Sequence, residues 1–261
     1  AELVAFLRRL RCSGRVFAQV KRGKQPLPVN HQSTAAMIPW IELDSAAIPG
    51  EAGTLRLKRR GDEFSIMLGA NELMNSRLSG SEEALAELSC ARLAGRKAPV
   101  VLIGGLGMGF TLRAALAVLP GDARVVVAEL VPAVVKWARG EMAAVFKGSL
   151  DDPRVEIHTG DVASLIEKSK SAFDAILLDV DNGPDGLTRA SNDRLYDAGG
   201  LGRSGRALRP GGVLAVWSSG PDPRFTARME KAGFATEVRT VRANAKRRGA
   251  KHVIWLGVGH R

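Results

Sequence analysis

A glycine-rich turn near the middle of the chain has the composition of a site that binds a nucleoside or a phosphate. It reads Gly-Gly-Leu-Gly-Met-Gly and leads directly into the helical sequence FTLRAALAVL. Glycines let a ligand approach the backbone, and the first turn of a helix presents N–H groups without intrahelical partners. The candidate binding residues are Gly104, Gly105, Gly107 and Gly109. The turn suits a dinucleotide pyrophosphate as well as a nucleoside, so other residues must discriminate between them.

Acidic residues follow the next three apolar runs, where each run ends. Glu129 ends ARVVVAEL, and a carboxylate at that place can accept hydrogen bonds from both hydroxyls of a ribose. Asp161 follows RVEIHT, where it can accept from the exocyclic amine of adenine. Asp179 ends FDAILLDV, and Asp181 lies in the loop beyond it. A carboxylate at a buried strand end is costly unless it binds something.

Each of these features also has a structural interpretation, and the loop around Asp181 could be an Asx-turn. For the nucleoside site, Gly107 and Gly109 would then be turn residues only, Glu129 a solvated strand end, and Asp161 the N-cap of a helix over VASLIEK. All three explanations would have to hold at consecutive strand ends of one sheet, so we favour a nucleoside site.

The elements that position these residues follow an alternating pattern of apolar runs and helical stretches. This alternation predicts a doubly wound, mostly parallel α/β sheet, Rossmann-like and buried on both faces. Seven strands are predicted, at residues 99–104, 123–130, 154–159, 173–180, 212–218, 234–241 and 252–259. The segment between the last two is too short for a βαβ crossover, so these strands should form an antiparallel hairpin.

The rest of the chain divides by composition. Residues 1–36 form a basic extension, residues 37–80 a small β unit with turn-forming residues between short strands, and residues 81–261 the larger domain. Ser81 is the expected N-cap of the first helix. Two cysteines, too few for a closed metal site, and apolar runs well below the roughly 20 residues of a membrane span predict a cytoplasmic protein without metal or membrane contact.

The formal net charge of +11 is concentrated at the two ends of the chain. The basic segment RANAKRRGAK joins the last two strands, and its candidate substrate-loop residues are Arg242, Lys246, Arg247 and Arg248. One interpretation is a clamp for an anionic acceptor or a nucleic acid. The other is a solvated hairpin tip, which the lack of interleaved aromatic residues favours. His158 and His252, within strands, are expected to be packed or fixed in one tautomer rather than catalytic, and the four tryptophans to lie in the core rather than bind a ligand.

The order of these motifs resembles the spermidine synthase group of the class I S-adenosylmethionine-dependent methyltransferase superfamily. The resemblance covers about residues 37–220 and includes SEEALAEL, VLIGGLGMGFTLRAAL, VAELVPAVVKWAR, RVEIHTGD, FDAILLDVDNGP and LRPGGVLAV. It implies a homodimer, an adenosyl ligand held by Glu129 and Asp161, and an amine substrate near Asp179 and Asp181.

Several residues that polyamine synthases use are replaced. Gly107 stands where their glycine loop carries an acid, and Leu85 where they have a tyrosine. Their substrate-side glutamine falls near Asn75 or Ser76, and their Asp-x-x-Asp is shortened to Asp179-Val180-Asp181.

In polyamine synthases, the acid of the glycine loop repels the carboxylate of intact S-adenosylmethionine. This chain has Gly107 in its place and lacks that repulsion. The sequence therefore favours methyl transfer from S-adenosylmethionine, with Asp181 as general base and Asp179 holding the methionine amine or the substrate. The alternatives are an aminopropyltransferase that uses decarboxylated S-adenosylmethionine, and a non-catalytic protein that binds a nucleoside or RNA.

Overall fold

The computed structural model describes residues 38–180, 183–184, 194–244 and 249–259. Residues 38–261 belong to one compact unit. The predicted extension over residues 1–36, the candidate base Asp181, and the loop residues Lys246, Arg247 and Arg248 lie outside the described residues. The proposed boundary between residues 80 and 81 stays a prediction.

The small amino-terminal unit is a four-stranded antiparallel sheet in the order β1-β2-β3-β4. Its strands are β1 (Ile41–Ala47), β2 (Thr54–Arg60), β3 (Glu63–Leu68) and β4 (Asn71–Asn75). Alternate residues such as Leu55, Leu57, Phe64 and Ile66 are buried, as expected for a sheet with one face on the core. The small β unit predicted from the sequence is therefore present.

The larger sheet has seven strands in the order β10-β11-β9-β8-β5-β6-β7. The strands are β5 (Val100–Gly104), β6 (Arg124–Glu129), β7 (Val155–Thr159), β8 (Phe173–Leu178), β9 (Leu208–Ser218), β10 (Phe234–Arg242) and β11 (Lys251–Gly259). Five of them are parallel, and β11 runs antiparallel to both of its neighbours. The mostly parallel fold and its terminal antiparallel hairpin are confirmed.

The point at which the strand order reverses lies between β5 and β8. From β5 the chain continues to β6 and β7 on one side, then returns to β8 on the other. In open α/β sheets, ligands bind beyond the carboxyl ends of the strands at such a switch point. The glycine turn after β5 and Asp179 after β8 therefore meet at this position.

Seven helices lie within the described ranges. They are α1 (Gly80–Cys90), α2 (Phe110–Val118), α3 (Pro132–Arg139), α4 (Ala143–Phe146), α5 (Val162–Lys168), α6 (Ala198–Ala207) and α7 (Pro223–Lys231). None of them is both long and apolar enough to cross a membrane.

The predicted N-cap of α1 is wrong. The helix begins at Gly80, with Ser79 in the N-cap position, and Ser81 already lies inside its first turn. The hydroxyl of Ser81 contacts the side chain of Glu82, in the same helix, and that of His252, on β11.

Two tryptophans hold the layers together from inside the core. Trp137 and Trp255 are almost completely buried, as the sequence predicts. The indole Nε1 of Trp137 donates a 2.8 Å hydrogen bond to Asp44 Oδ2, which joins α3 to β1. This bond and a second from Lys136 lower the pKa of Asp44 because they stabilise its carboxylate. The small sheet is thereby fixed to the larger one beside the switch point.

Candidate functional site

An open pocket lies at the carboxyl edge of the large sheet, with the small β unit on its other side. The predicted residues Gly105, Gly107, Gly109, Glu129, Asp161 and Asp179 all line it. The small unit contributes mainly apolar side chains, Leu55, Leu68, Leu73 and Met74, together with Asn75. The structure therefore brings together the nucleoside-site residues that the sequence analysis had only placed at separate strand ends.

The glycine turn needs its glycines for conformation and for space. Gly105, Gly107 and Gly109 have φ values of 90°, 50° and 73°, in the left-handed region that other residues rarely adopt. A Cβ on Gly105 would lie 2.3 Å from the backbone oxygen of Asp179, and one on Gly109 would lie 2.4 Å from the Phe146 ring. Gly104 lies within β5, packed near Val162, and does not line the pocket.

Gly105→Ala is expected to lower the free energy of unfolding by more than about 2 kcal/mol and to abolish adenosyl binding. The added methyl group meets a backbone oxygen, which cannot move aside as a flexible side chain would, and the left-handed conformation adds its own cost. Thermal denaturation and titration calorimetry measure the two effects.

Gly121→Ala is the matched control, because nothing lies within 4 Å of its Cβ position and its φ is not positive. Wild-type stability and binding in Gly105→Ala would contradict the geometry of this turn.

Glu129 is 7% exposed and connects two loops through its carboxylate. One oxygen accepts a 2.9 Å hydrogen bond from the backbone N–H of Leu106, in the glycine turn. The other accepts a 2.8 Å bond from the N–H of Val131, just after β6. A carboxylate has about four acceptor positions in all, and these two bonds use one on each oxygen. The predicted contact with ribose stays a prediction.

Asp161 lines the pocket and also caps α5. Its Oδ1 accepts from the Ala163 N–H at 2.9 Å, and its Oδ2 accepts from the Ser164 hydroxyl at 3.2 Å. Arg194 forms an ion pair with the same carboxylate. The N-cap interpretation of Asp161 is therefore correct, and the predicted contact with adenine remains compatible with it because the residue faces the pocket.

Asp179 has the most perturbed carboxyl group in the pocket. Burial, reinforced by the nearby Glu82 carboxylate, raises its pKa to about 7. The Thr111 hydroxyl opposes this shift by donating a 2.7 Å hydrogen bond to Oδ2. Burial also raises the pKa of Glu82. Two carboxyl groups that disfavour each other's charge in this way can hold one proton between them near neutral pH.

Sequence reasoning missed three residues of this site. Two of them, Glu82 and Trp217, line the pocket. The third, Thr111, donates a hydrogen bond to Asp179. Glu82 lies in the acid-rich stretch of the resemblance, which was the only available signal for it. The assignment of Trp217 to the core is corrected, since its ring lies between that core and the pocket, 4.8 Å from the ring of His252.

Of the four candidate residues of the basic hairpin, Arg242 is the one within the described ranges. Its side chain is exposed, donates a 3.0 Å hydrogen bond to the Gly249 carbonyl, and does not line the pocket. Among the described residues, no group of three or more His, Cys, Asp or Glu side chains could hold a metal ion.

Sheet order, terminal hairpin and a pocket at the switch point together define a member of the class I S-adenosylmethionine-dependent fold superfamily. Within it, residues 80–226 match the spermine/spermidine synthase domain. The chain belongs to this family.

Relatives and solved structures agree with this assignment. The chain is 33% identical over 144 residues to a polyamine aminopropyltransferase of Mycobacterium tuberculosis, a match of 52% of this chain and 27% of that protein. It is 30% identical over 229 residues to polyamine aminopropyltransferase 2 of Pseudomonas aeruginosa, covering 76% and 62%. The chain thus spans only part of the length of these relatives.

Its fold is similar to that of spermidine synthase from Thermotoga maritima, with a TM-score of 0.64, 20% identity, and coverage of 83% of this chain and 72% of that one.

These comparisons overturn the prediction of methyl transfer. The family and the names of the relatives point to aminopropyl transfer, which the sequence analysis carried as an alternative. The error came from treating the missing loop acid at Gly107 as a change of donor. In the structure the sulfur of Met74 lies 3.2 Å from the Cβ position of Gly107, and the carboxyl groups of Glu82 and Asp179 supply negative charge elsewhere in the pocket.

Proposed function

We propose that this chain transfers an aminopropyl group from decarboxylated S-adenosylmethionine to an aliphatic amine. Membership of the spermine/spermidine synthase family and the names of the relatives support the reaction. The observation that carries the proposal is the carboxyl pair, Glu82 and Asp179, in the lining of a nucleoside-type pocket. Such a pair suits a cationic ligand and a reaction that releases a proton.

The residues present fit the adenosyl donor. Glu129 would accept from the ribose hydroxyls, Asp161 would accept from the adenine amine, and the glycine turn would allow close approach of the nucleoside to the backbone. The donor, when bound, supplies a sulfonium whose neighbouring carbon is electrophilic. Glu82 and Asp179 would face the donor's ammonium or the incoming amine, because both line the same pocket.

Asp179 is the proposed general base. An amine enters as its ammonium form and must lose a proton before its nitrogen can attack. A carboxyl group with a pKa of about 7 is well matched to that task at neutral pH. Thr111 orients the carboxylate through its 2.7 Å hydrogen bond. The nitrogen lone pair then forms the new C–N bond, the C–S bond breaks, and its electron pair remains on sulfur.

The lining of the small β unit suggests what kind of acceptor binds. Leu55, Leu68, Leu73 and Met74 present hydrocarbon surface opposite the carboxyl pair. A chain of methylene groups that ends in an amine would place its hydrocarbon part against these residues and its charged end near Asp179. The small acceptor is therefore proposed to be an alkylamine. Arg242 does not line the pocket, so its charge does not stand against a cationic acceptor there.

Decarboxylated S-adenosylmethionine is expected to bind at least tenfold more tightly than the intact molecule. The intact molecule carries a carboxylate, which Glu82 and Asp179 would repel, whereas the decarboxylated form presents only positive charge to them. Titration calorimetry of the wild-type chain with each ligand measures the ratio.

The double variant Glu82→Gln with Asp179→Asn is the control, because it should reduce the preference toward unity. Equal or tighter binding of the intact molecule by the wild type would refute the proposed donor.

The homodimer implied by the resemblance and a cytoplasmic location stay predictions. Sedimentation of the full chain checks the first, and localisation of a tagged chain in its own cell checks the second.

A further inference from the structure

A line of hydrogen bonds leads away from Glu82, one of the two carboxyl groups of the pair, along a route that the proposed reaction has not yet used. The Ser81 hydroxyl is completely buried and contacts Glu82 Oε2 at 2.7 Å. The hydroxyl oxygen of Ser81 also lies 2.9 Å from Nδ1 of His252, which is on β11. The edge of the His252 ring packs against Trp217, with 4.8 Å between the ring centroids. Ser81 thus links a carboxyl group of the pocket to a histidine on a different element.

A serine hydroxyl has one hydrogen and two acceptor positions, so two arrangements of protons let Ser81 donate to one of these neighbours and accept from the other. When Glu82 is ionised, Ser81 donates to Glu82 and His252 donates its Nδ1–H to Ser81. When Glu82 is protonated, Glu82 donates to Ser81, and Ser81 donates to an unprotonated His252 Nδ1. Moving from the second arrangement to the first carries a proton from Glu82 to the imidazole, which can release another from its far nitrogen.

His252 has the setting that this exchange requires. The residue is half-buried. Burial lowers the pKa of its imidazole, so the ring is neutral at neutral pH and readily gives up a proton that it receives. The titratable groups that act on the carboxyl end of the line are Asp179, from the end of β8, and Glu83, from α1 itself. Thr111, from α2, is the remaining polar partner of Asp179.

We propose that Ser81 and His252 are positioning residues that orient Glu82 and conduct the proton released by the acceptor amine from the Glu82–Asp179 pair to solvent. This inference rests on the proposed aminopropyl transfer. In that reaction an ammonium and a sulfonium give a secondary ammonium, a neutral thioether and one proton. Asp179 takes the proton from the acceptor ammonium before attack, and the proton then leaves through Glu82, Ser81 and His252. The base is thereby returned to its ionised form for the next turnover.

The kinetic test compares His252→Asn and His252→Ala with the wild type. Asparagine can place an amide near the position of Nδ1 and keep a hydrogen bond to Ser81, but it cannot carry a proton. We expect kcat to fall at least tenfold in both variants, with an unchanged KM for the donor and a larger solvent deuterium isotope effect. Added imidazole should restore part of the kcat of His252→Ala. Ser81→Ala, which interrupts the same line, should show the same fall in kcat.

The control is His158→Asn, an exposed histidine on β7 outside the pocket, which should keep the wild-type kcat. Full activity in His252→Asn would overturn the relay and leave His252 with a hydrogen-bonding role only. A wild type that transfers no aminopropyl group would instead refute the proposed function.

A spectroscopic test separates these two failures, since it needs no turnover. The ring ¹⁵N signals of His252 should change, in the free wild-type chain, over the same pH range in which the carboxyl pair titrates. Glu82→Gln should remove that change. A His252 spectrum with the same pH dependence in Glu82→Gln as in the wild type would overturn the proposal, whatever the activity.

Discussion

Asp179→Asn is expected to abolish aminopropyl transfer and, at the same time, to make the protein more stable at alkaline pH. The pKa of the Asp179 carboxyl group is about 7, compared with an ordinary value of 3.8, because its burial and the nearby Glu82 disfavour the charged form. The folded state therefore binds a proton that the unfolded state has already released, over the range between these two values. The free energy of unfolding therefore falls as the pH rises through this range, and the full loss of stability is present above pH 7.

The size of this cost follows from the shift. It is on the order of 4 kcal/mol at most, since each pKa unit corresponds to about 1.4 kcal/mol and Glu82 shares the shift. An asparagine cannot ionise, so it avoids the cost, while its amide can still bond to Thr111. We expect the gain in the free energy of unfolding to appear at pH 9 and to vanish near pH 4. Denaturant titrations at both pH values measure it.

Loss of the base is expected to lower kcat by about 10²–10⁴-fold. Asp174→Asn is the matched control, because Asp174 is a buried aspartate on β8, the strand that Asp179 follows. In contrast to Asp179, Asp174 accepts 2.7 Å bonds from both Arg96 and Arg209 and a 2.8 Å bond from the Val100 N–H. This variant should lose stability at every pH, since it leaves paired groups without their acceptor. Lower stability of Asp179→Asn at pH 9 would show that its carboxylate is satisfied in the folded state.

Binding of the cationic donor should shift the protonation equilibrium of the Glu82–Asp179 pair. A ligand that favours the ionised carboxyl pair releases the proton held there, so donor binding should weaken as the pH falls below 7. This dependence links the stability of the free protein to its affinity for a sulfonium.

The local patterns of the sequence were sufficient for the architecture. Buried strands such as β5 and β8 are continuous apolar runs, and the short segment before β11 excludes a crossover. Strand ends of a parallel sheet share one edge, so Glu129, Asp161 and Asp179 could be brought together without knowledge of the strand order. These inferences depend on period and connection length, which a sequence contains directly.

The electrostatics of the site could not be obtained in the same way. Glu82 lies in the first turn of α1, where an acid has an ordinary explanation as a partner of the helix dipole. Its importance comes from the packing of α1 against α2 and β8, which places its carboxyl group near Asp179. The donor was misjudged for the same reason. One missing acid at Gly107 was visible in the sequence, whereas the compensating charge depends on tertiary contacts.

Glu129→Gln is expected to reduce adenosyl affinity at least 100-fold and to destabilise the glycine turn. Both oxygens of Glu129 accept backbone N–H groups, from Leu106 at 2.9 Å and Val131 at 2.8 Å. A glutamine must place its NH₂ group against one of these donors, so one buried N–H loses its acceptor at a cost of about 1–3 kcal/mol. The charged acceptor for the ribose hydroxyls is lost as well. Calorimetry with methylthioadenosine and denaturant titration measure the two effects.

Glu156→Gln provides the control for a strand carboxylate outside the site. Glu156 lies on the neighbouring strand β7 and forms an exposed ion pair with Arg124, so its replacement should change stability by less than about 1 kcal/mol and leave binding unchanged. Comparison with Asp179→Asn then separates binding from chemistry, because Asp179→Asn should still bind the nucleoside. If Glu129→Gln binds methylthioadenosine as tightly as the wild type does, the adenosyl group lies elsewhere, and the placement of the donor along Glu129, Asp161 and the glycine turn is wrong.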